Sequence, residues 1–289
     1  MKVINKISEM QSVSRELQKQ GKTIAVVPTM GYLHEGHLSL VRIASDLADV
    51  VITTIFVNPK QFAPNEDFER YPRDFERDKN LLENVNCDYL FYPEINEIYP
   101  TGYSTFIQMQ GITKVFEGES RPTHFDGVAL VVLKLFNITK ANFAIFGQKD
   151  YQQTLVIKQL VKDLNIDIKI VVAPIVREGN GLAMSSRNRY LSEKERDNSS
   201  IIFIALEEAK KAIASGERRR KIINSIIIST LRSVPEIKID YVQTVKAHNL
   251  ELADEFLPGE EIVMLIACWM GRTRLIDNST TKIPTIEFQ

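Results

Sequence analysis

Thr23-Ile24-Ala25-Val26-Val27 runs into Pro28-Thr29-Met30-Gly31-Tyr32-Leu33-His34-Glu35-Gly36-His37 and then into Leu38-Ser39-Leu40-Val41-Arg42-Ile43-Ala44. The first five residues are the continuous apolar run of a buried strand, and the last seven carry apolar residues at helical spacing. The unit is therefore strand, loop, helix. Gly31 permits a tight turn, and Gly36 lets a ligand approach the backbone where the helix begins. At that point the first amide N–H groups have no intrahelical partner and the dipole favours negative charge, so an anion is the expected occupant. His34 and His37 can aim ring donors at it, which makes a phosphate the natural ligand. The same two imidazoles could ligate zinc or be structural. However, H-E-G-H is one residue shorter than the metalloprotease spacing, and no cysteine or third histidine lies nearby.

Outward from this unit, strand-like runs recur at 50–57, 89–92, 142–146 and 168–172, with helix-like segments at 75–84, 128–136 and 151–164 between several of them. Strand alternating with helix predicts an α/β fold, a Rossmann-like doubly wound parallel sheet with helices on both faces. Ligands of such sheets sit beyond the carboxyl ends of the strands, where the informative loops of this sequence fall. After Pro174 the texture changes. Residues 193–215 and 218–232 read as two long amphipathic helices, and 237–242, 261–266 and 273–277 as a small antiparallel sheet. The expected organisation is a nucleotide-type domain over 1–176 and a smaller C-terminal α+β domain over 177–289. No repeat or low-complexity segment interrupts either.

Composition narrows the function classes. Among 289 residues, 36 basic and 37 acidic side chains leave a net charge of -1, so no general attraction to nucleic acid or to an anionic membrane is implied. The basic run Arg218-Arg219-Arg220-Lys221 reads as a solvated helix start and not as an RNA patch. Cys87 and Cys268 sit in apolar surroundings and read as buried free thiols. The first six residues contain no apolar signal core, and the longest apolar run, 262–270, is well short of the ~20 residues of a membrane helix. The expected location is the cytoplasm.

Further segments fit a site that handles a nucleotide. Phe56-Val57-Asn58-Pro59-Lys60-Gln61-Phe62 ends a strand and brings the amides of Asn58 and Gln61 to the same sheet edge as His34. Phe146-Gly147-Gln148-Lys149-Asp150-Tyr151-Gln152-Gln153 is a second strand-to-helix junction, with a cation, a carboxylate and amides. Gly181-Leu182-Ala183-Met184-Ser185-Ser186-Arg187-Asn188 offers hydroxyls and a guanidinium on a glycine-hinged loop suited to closing over phosphates. Together with Y-P-R at 71–73 and R-P-T-H-F-D-G-V at 121–128, these segments closely resemble the pantothenate synthetase (pantoate–β-alanine ligase) family over essentially the whole chain. The H-x-G-H turn with a later M-S-S-R loop also looks like the wider nucleotidyltransferase group. Gln148 and Asn180 depart from the family pattern, which often has acidic residues there.

The resemblance implies an ATP-dependent ligase with two half-reactions. Pantoate attacks the α-phosphorus of ATP to give a pantoyl adenylate and pyrophosphate, and β-alanine then displaces AMP. It implies catalytic roles for His37, His34, Lys149 and Arg187. ATP would be bound by Met30, Gly31, Tyr32, Leu33, His34, Glu35, Gly36, His37, Gly147, Gln148, Lys149, Asp150, Val176, Met184, Ser185, Ser186 and Arg187. Pantoate and β-alanine would be met by Gln61, Gln153, Asn58 and Met30. Magnesium would accompany the ATP, with no protein ligand identified. Asp74, Glu76 and Asp78 are explained as well by a solvated helix face. The implied assembly is a homodimer without nucleic-acid or membrane partners. Another H-x-G-H nucleotidyltransferase, or a non-catalytic nucleotide- or tRNA-binding relative, remains the alternative.

Overall fold

The structure, a computed structural model, describes residues 1–64 and 66–285. In chain order its elements are β1 (Lys2–Ile4), α1 (Ile7–Lys19), β2 (Ile24–Thr29), α2 (Glu35–Leu47), β3 (Val50–Ile55), α3 (Phe75–Glu83), β4 (Tyr89–Phe91), α4 (Ile95–Ile98), α5 (Glu117–Ser120), α6 (His124–Thr139), β5 (Phe143–Gly147), α7 (Tyr151–Asp163) and β6 (Lys169–Ala173). There follow α8 (Glu193–Asn198), α9 (Ile201–Ala214), α10 (Arg220–Leu231), β7 (Ile237–Lys246), β8 (Glu261–Met270) and β9 (Thr273–Lys282). Two compact units emerge, one of Met1–Gln148 with Gln152–Pro174, the other of Lys149–Tyr151 with Ile175–Gln289. The division thus falls two residues before the expected one, and the short junction after β5 is counted with the second unit.

The first unit is a six-stranded sheet in the order β1-β4-β3-β2-β5-β6, and every pairing is parallel. Parallel neighbours need crossovers, and the crossover helices cover both faces, which is why the strands read as unbroken apolar runs. Ile24, Val26, Ile52 and Phe56 point to one face, against α1, α6 and α7 through Met10, Leu17, Val128, Val131, Leu135 and Ile157. The alternate residues Ala25, Val27, Val51 and Ile55 meet Leu38, Val41 and Ala44 of α2 and Leu82 of α3 on the other. The chain builds outward from β2 to β3 and β4, then returns to add β5 on the opposite side of β2. That reversal puts the topological switch point between β2 and β5, and sheets of this kind bind ligands beyond the carboxyl ends of the strands at such a point.

The edge strand β1 was not evident in the sequence, because three residues are too few to show a period. The second unit packs α9 and α10 against the antiparallel sheet β7-β8-β9 around Ile202, Leu206, Ile223, Ile227, Met264 and Ile266. The helix expected over 193–215 is two helices. Ser199 and Ser200 separate them, their hydroxyls bonded back to the carbonyls of Glu195 and Asp197 at 2.6 Å each, in the way serine competes with helix continuation. The basic run after Gly216 is paired, Arg218 with Glu255, Arg219 with Glu217 and Arg220 with Asp254. The apolar run at 262–270 is the buried central strand β8. No helix among the described residues is long and apolar enough to cross a membrane. Cys87 and Cys268 are buried and free.

Candidate active site

The turn after β2 is built from an unusual backbone. Gly31 has φ +84° and Tyr32 φ +50°, and a Cβ at Gly31 would lie 2.9 Å from Ile55 Cγ2 and 3.2 Å from Asp78 Oδ2. Only glycine fits there. A non-glycine residue in the left-handed region carries a cost of ~1–3 kcal/mol that its surroundings must offset. The offset comes from α3. Asp78 is 1% exposed and accepts the N–H of Tyr32 at 2.6 Å and of Leu33 at 2.7 Å. The neighbouring Arg77 guanidinium lies over the Tyr32 ring at 4.8 Å and reaches Asp78 Oδ1 at 3.3 Å. Burial pushes the Asp78 carboxyl above the ordinary range, while the two amides and Arg77 pull it down. Of the three acidic residues read as a solvated face, Asp74 and Glu76 are exposed, and Asp78 is not.

α2 begins directly after this turn. His34 is its N-cap residue with extended backbone, φ -141° and ψ 175°, and His37 lies three residues on. The two rings approach to 4.1 Å between centroids. The His34 backbone N–H donates to His37 Nδ1 at 3.3 Å, so a neutral His37 carries its proton on Nε2 and offers a ring donor. Glu35 turns to Arg42, bonding Nη2 at 3.3 Å, which keeps its carboxylate paired with a cation. Among the described residues no group of three or more His, Cys, Asp or Glu could hold a metal ion, and the zinc alternative for the two histidines lacks further ligands.

The strand β3 leads into a 3-10 turn, Pro59–Gln61. The Gln61 side chain there donates from Nε2 to Met30 Sδ at 3.2 Å and accepts at Oε1 from Asn58 Nδ2 at 3.0 Å. Asn58, expected to touch substrate, is 1% exposed and gives its bonds to the protein. Its Oδ1 accepts from Lys60 N–H and Tyr99 O–H, and its Nδ2 donates to Gln61 and to Gly127 O. These bonds use the whole capacity of the amide, and they orient Gln61. A cleft of about 600 Å³ beyond the ends of β2 to β4 is bordered by Met30, Gly31, Phe56, Asp78 and Tyr92. It adjoins the turn without reaching His34, His37 or Gln61. On α7, Gln152 is buried and bonds the carbonyls of Ile112 and Val115, while Gln153 beside it is half-buried. A Cβ at Gly147 would meet nothing within 4 Å, so the end of β5 is open.

In the second unit the expected glycine-hinged loop, 181–188, begins at the turn of a hydrogen-bonded hairpin and ends in the 3-10 turn Ser186–Tyr190. Glu178 N–H donates to Leu182 O and Met184 N–H to Val176 O, and Gly181, with φ +92°, closes the turn. Asn180 Oδ1 accepts the Leu182 N–H at 3.1 Å, the same service a carboxylate would give. Arg177 anchors the hairpin through a bidentate pair with Asp277, at 2.6 and 3.0 Å. Ser185 caps the 3-10 turn Ser186–Tyr190 by accepting from Arg187 N–H at 3.2 Å. Ser186 is buried, and Arg187 is half-buried. Lys149 and Asp150 lie in the 3-10 turn after β5, where Asn278 Nδ2 donates to the Lys149 carbonyl at 3.0 Å. Asp78, Arg177, Asp277 and Asn278 were not singled out as site residues from sequence.

A family model described as pantoate-beta-alanine ligase matches residues 2–280. A pantothenate synthetase of Caldicellulosiruptor bescii is 51% identical over 278 residues, 96% of this chain and 98% of that protein. The crystal structure of a Thermus thermophilus pantothenate synthetase superposes with a TM-score of 0.92 at 38% identity, covering 99% of this chain and 100% of that one. A Francisella tularensis pantoate-beta-alanine ligase, complexed with beta-gamma ATP and beta-alanine, gives a TM-score of 0.78 at 37% identity, covering 96% and 97%.

Proposed function

This chain belongs to the pantoate–β-alanine ligase family, and from that premise we propose how its residues carry the ATP-dependent condensation of pantoate with β-alanine through a pantoyl adenylate. A carboxylate oxygen of pantoate attacks the α-phosphorus of ATP, and the bond to the bridging oxygen of pyrophosphate breaks. The amine of β-alanine then attacks the acyl carbon, and AMP leaves with the carboxylate oxygen while the amine loses a proton. Both steps depend on positioning and on neutralising charge that develops on phosphate oxygens.

The observation that carries the reading is the close, tilted pair His34 and His37 at the first turn of α2, beyond the carboxyl end of β2 where the strand order reverses. Met30, Gly31, Tyr32, Leu33, Glu35 and Gly36 wrap the nucleotide with backbone there, and the helix amides receive phosphate oxygens. His37, with its ring proton on Nε2, donates to the departing phosphate. Lys149, Ser185, Ser186 and Arg187 supply the remaining cations and hydroxyls for the triphosphate. Gly147 and Asp150 serve the ribose, with Gln148 beside them at the nucleotide, and the backbone of Val176 and Met184 serves the adenine. Gln61 and Gln153 select pantoate, because neutral amides match hydroxyls and a carboxylate. The Gln61 N–H that now rests on the weak acceptor Met30 Sδ is readily transferred to a carboxylate. Asn58 acts through Gln61.

Magnesium enters with the nucleotide. With no cluster of protein ligands among the described residues, the triphosphate and water would hold it. The reading carries with it a homodimer in the cytoplasm, which light scattering and fractionation test. Mass spectrometry of a reaction with pantoate, β-alanine and ATP-magnesium is expected to show pantothenate and AMP in equal amounts, and neither when pantoate is withheld. ADP as the nucleotide product would overturn the reading.

A further inference from the structure

The mechanism gives no ligand to residues 121–128, yet their polar groups converge on Gln61. His124 Nδ1 lies 3.0 Å from the Gln61 carbonyl oxygen, and Arg121 Nη2 donates to the same oxygen at 3.2 Å. Gly127 brings the backbone of α6 so close that a Cβ would stand 2.7 Å from the Gln61 nitrogen and 2.2 Å from the Lys60 oxygen. The carbonyl of Gly127 also accepts from the Asn58 amide that orients the Gln61 side chain. The turn is thus held at its carbonyl and its side chain, with the backbone of α6 packed directly against it.

The state of His124 is fixed from behind. His124 is 8% exposed, and burial with the nearby Arg121 cation pushes its pKa down to about 4, so the ring is neutral at physiological pH. Arg121 Nη1 approaches Nε2 at 3.2 Å. Since Arg121 can only donate, Nε2 accepts, and the single ring proton sits on Nδ1, facing the Gln61 carbonyl. Arg121 is itself held by a bidentate pair with Glu66, at 2.8 and 2.6 Å, and by Glu117 at 3.3 Å.

We infer that His124, steadied by Arg121, is a positioning residue that sets the Gln61 amide for pantoate. This rests on the reading that Gln61 binds pantoate. The donor must stand at the Nδ1 position, which an asparagine amide approximates and a glutamine amide, reaching instead to the Nε2 position, does not. His124→Asn is therefore expected to keep a near-normal KM for pantoate in pyrophosphate release, whereas His124→Gln and His124→Leu raise it about tenfold, the effect of one buried neutral hydrogen bond. The Kd of a non-hydrolysable ATP analogue with magnesium is expected to stay within about twofold in all three. In a Gln61→Ala background, His124→Gln should add nothing further to the pantoate KM, because the group it positions is gone.

Equal pantoate KM values for the Asn and Gln variants, or a parallel loss of analogue binding, would overturn the inference and leave His124 a packing residue. Additive effects of His124→Gln and Gln61→Ala would overturn it too. If Gln61→Ala alone leaves the pantoate KM unchanged, the reading of Gln61 fails first, and the inference with it.

Discussion

Replacing Asp78 by Asn tests whether a buried carboxylate on α3 shapes the loop between β2 and α2, proposed above to bind the nucleotide. Both oxygens of Asp78 accept backbone N–H groups, from Tyr32 at 2.6 Å and Leu33 at 2.7 Å. Asparagine can accept one of them and must turn its NH2 toward the other. One amide N–H is left without an acceptor, at about 1–3 kcal/mol, and the remaining bond loses its charge assistance, about 1 kcal/mol more. Because burial already holds the carboxyl above its usual range, removing the charge returns part of this, and the net loss is about 2 kcal/mol. At about 2–4 °C per kcal/mol for a protein of this size, melting should fall by roughly 4–8 °C. The same loosening lets Gly31 and Tyr32 leave their left-handed conformations, so affinity for an ATP analogue should drop about 10–30-fold. Calorimetric titration beside a thermal melt reads both. An unchanged melting temperature together with unchanged analogue affinity would refute the reasoning.

His37→Ala should fold normally and lose adenylate formation by about two to three orders of magnitude, the worth of one donor aimed at developing charge; near-normal pyrophosphate release would remove its assigned role. Gln153→Ala should raise the KM for pantoate while an ATP analogue binds as before, and an equal fall in both would reassign the residue. His124 gives a pH dependence of stability. Its pKa is near 6.5 unfolded and about 4 folded, so its contribution is complete above pH 6.5 and is lost as pH falls toward 4, in total about 3 kcal/mol. Denaturant titrations of His124→Asn between those values should show a shallower fall than the parent. Amide exchange at Glu178 and Met184, whose N–H groups close the hairpin, should be slow without any ligand, and Asn180→Asp should leave it slow because the acceptor for Leu182 is kept; fast exchange in the free protein would mean that the hairpin forms only on closure.

The central strands and the H-x-G-H turn were legible because strands covered on both faces become continuous apolar runs, and because the turn carries chemistry in ten adjacent residues. What the sequence concealed is mostly support brought from elsewhere in the chain. Asp78 sits among charged neighbours, and its partners lie forty-five and forty-six residues earlier. Phe75, Asp78 and Leu82 nevertheless share a helical face in the sequence, so the face that carries Leu82 inward carries Asp78 with it. The same holds for His124, which falls in line with Val128, Val131 and Leu135 along α6. Asn58 was placed in the right loop, but the partners that consume its amide, Tyr99 and Gly127, come from distant segments. The glycines of the loop at 181–188 are visible in sequence, but the hairpin in which it begins and the anchor of that hairpin, Asp277 on β9, are not.

The fate of the pantoate carboxylate oxygens tests the adenylate mechanism most directly. With both oxygens labelled as ¹⁸O, attack on the α-phosphorus and later expulsion of AMP must carry one labelled oxygen into the phosphate of AMP, leaving one in the amide of pantothenate. Mass spectrometry of the AMP formed in a single turnover is expected to show one ¹⁸O per molecule and none in pyrophosphate. Unlabelled AMP, or label appearing in inorganic phosphate beside ADP, would contradict the adenylate mechanism assigned to this site.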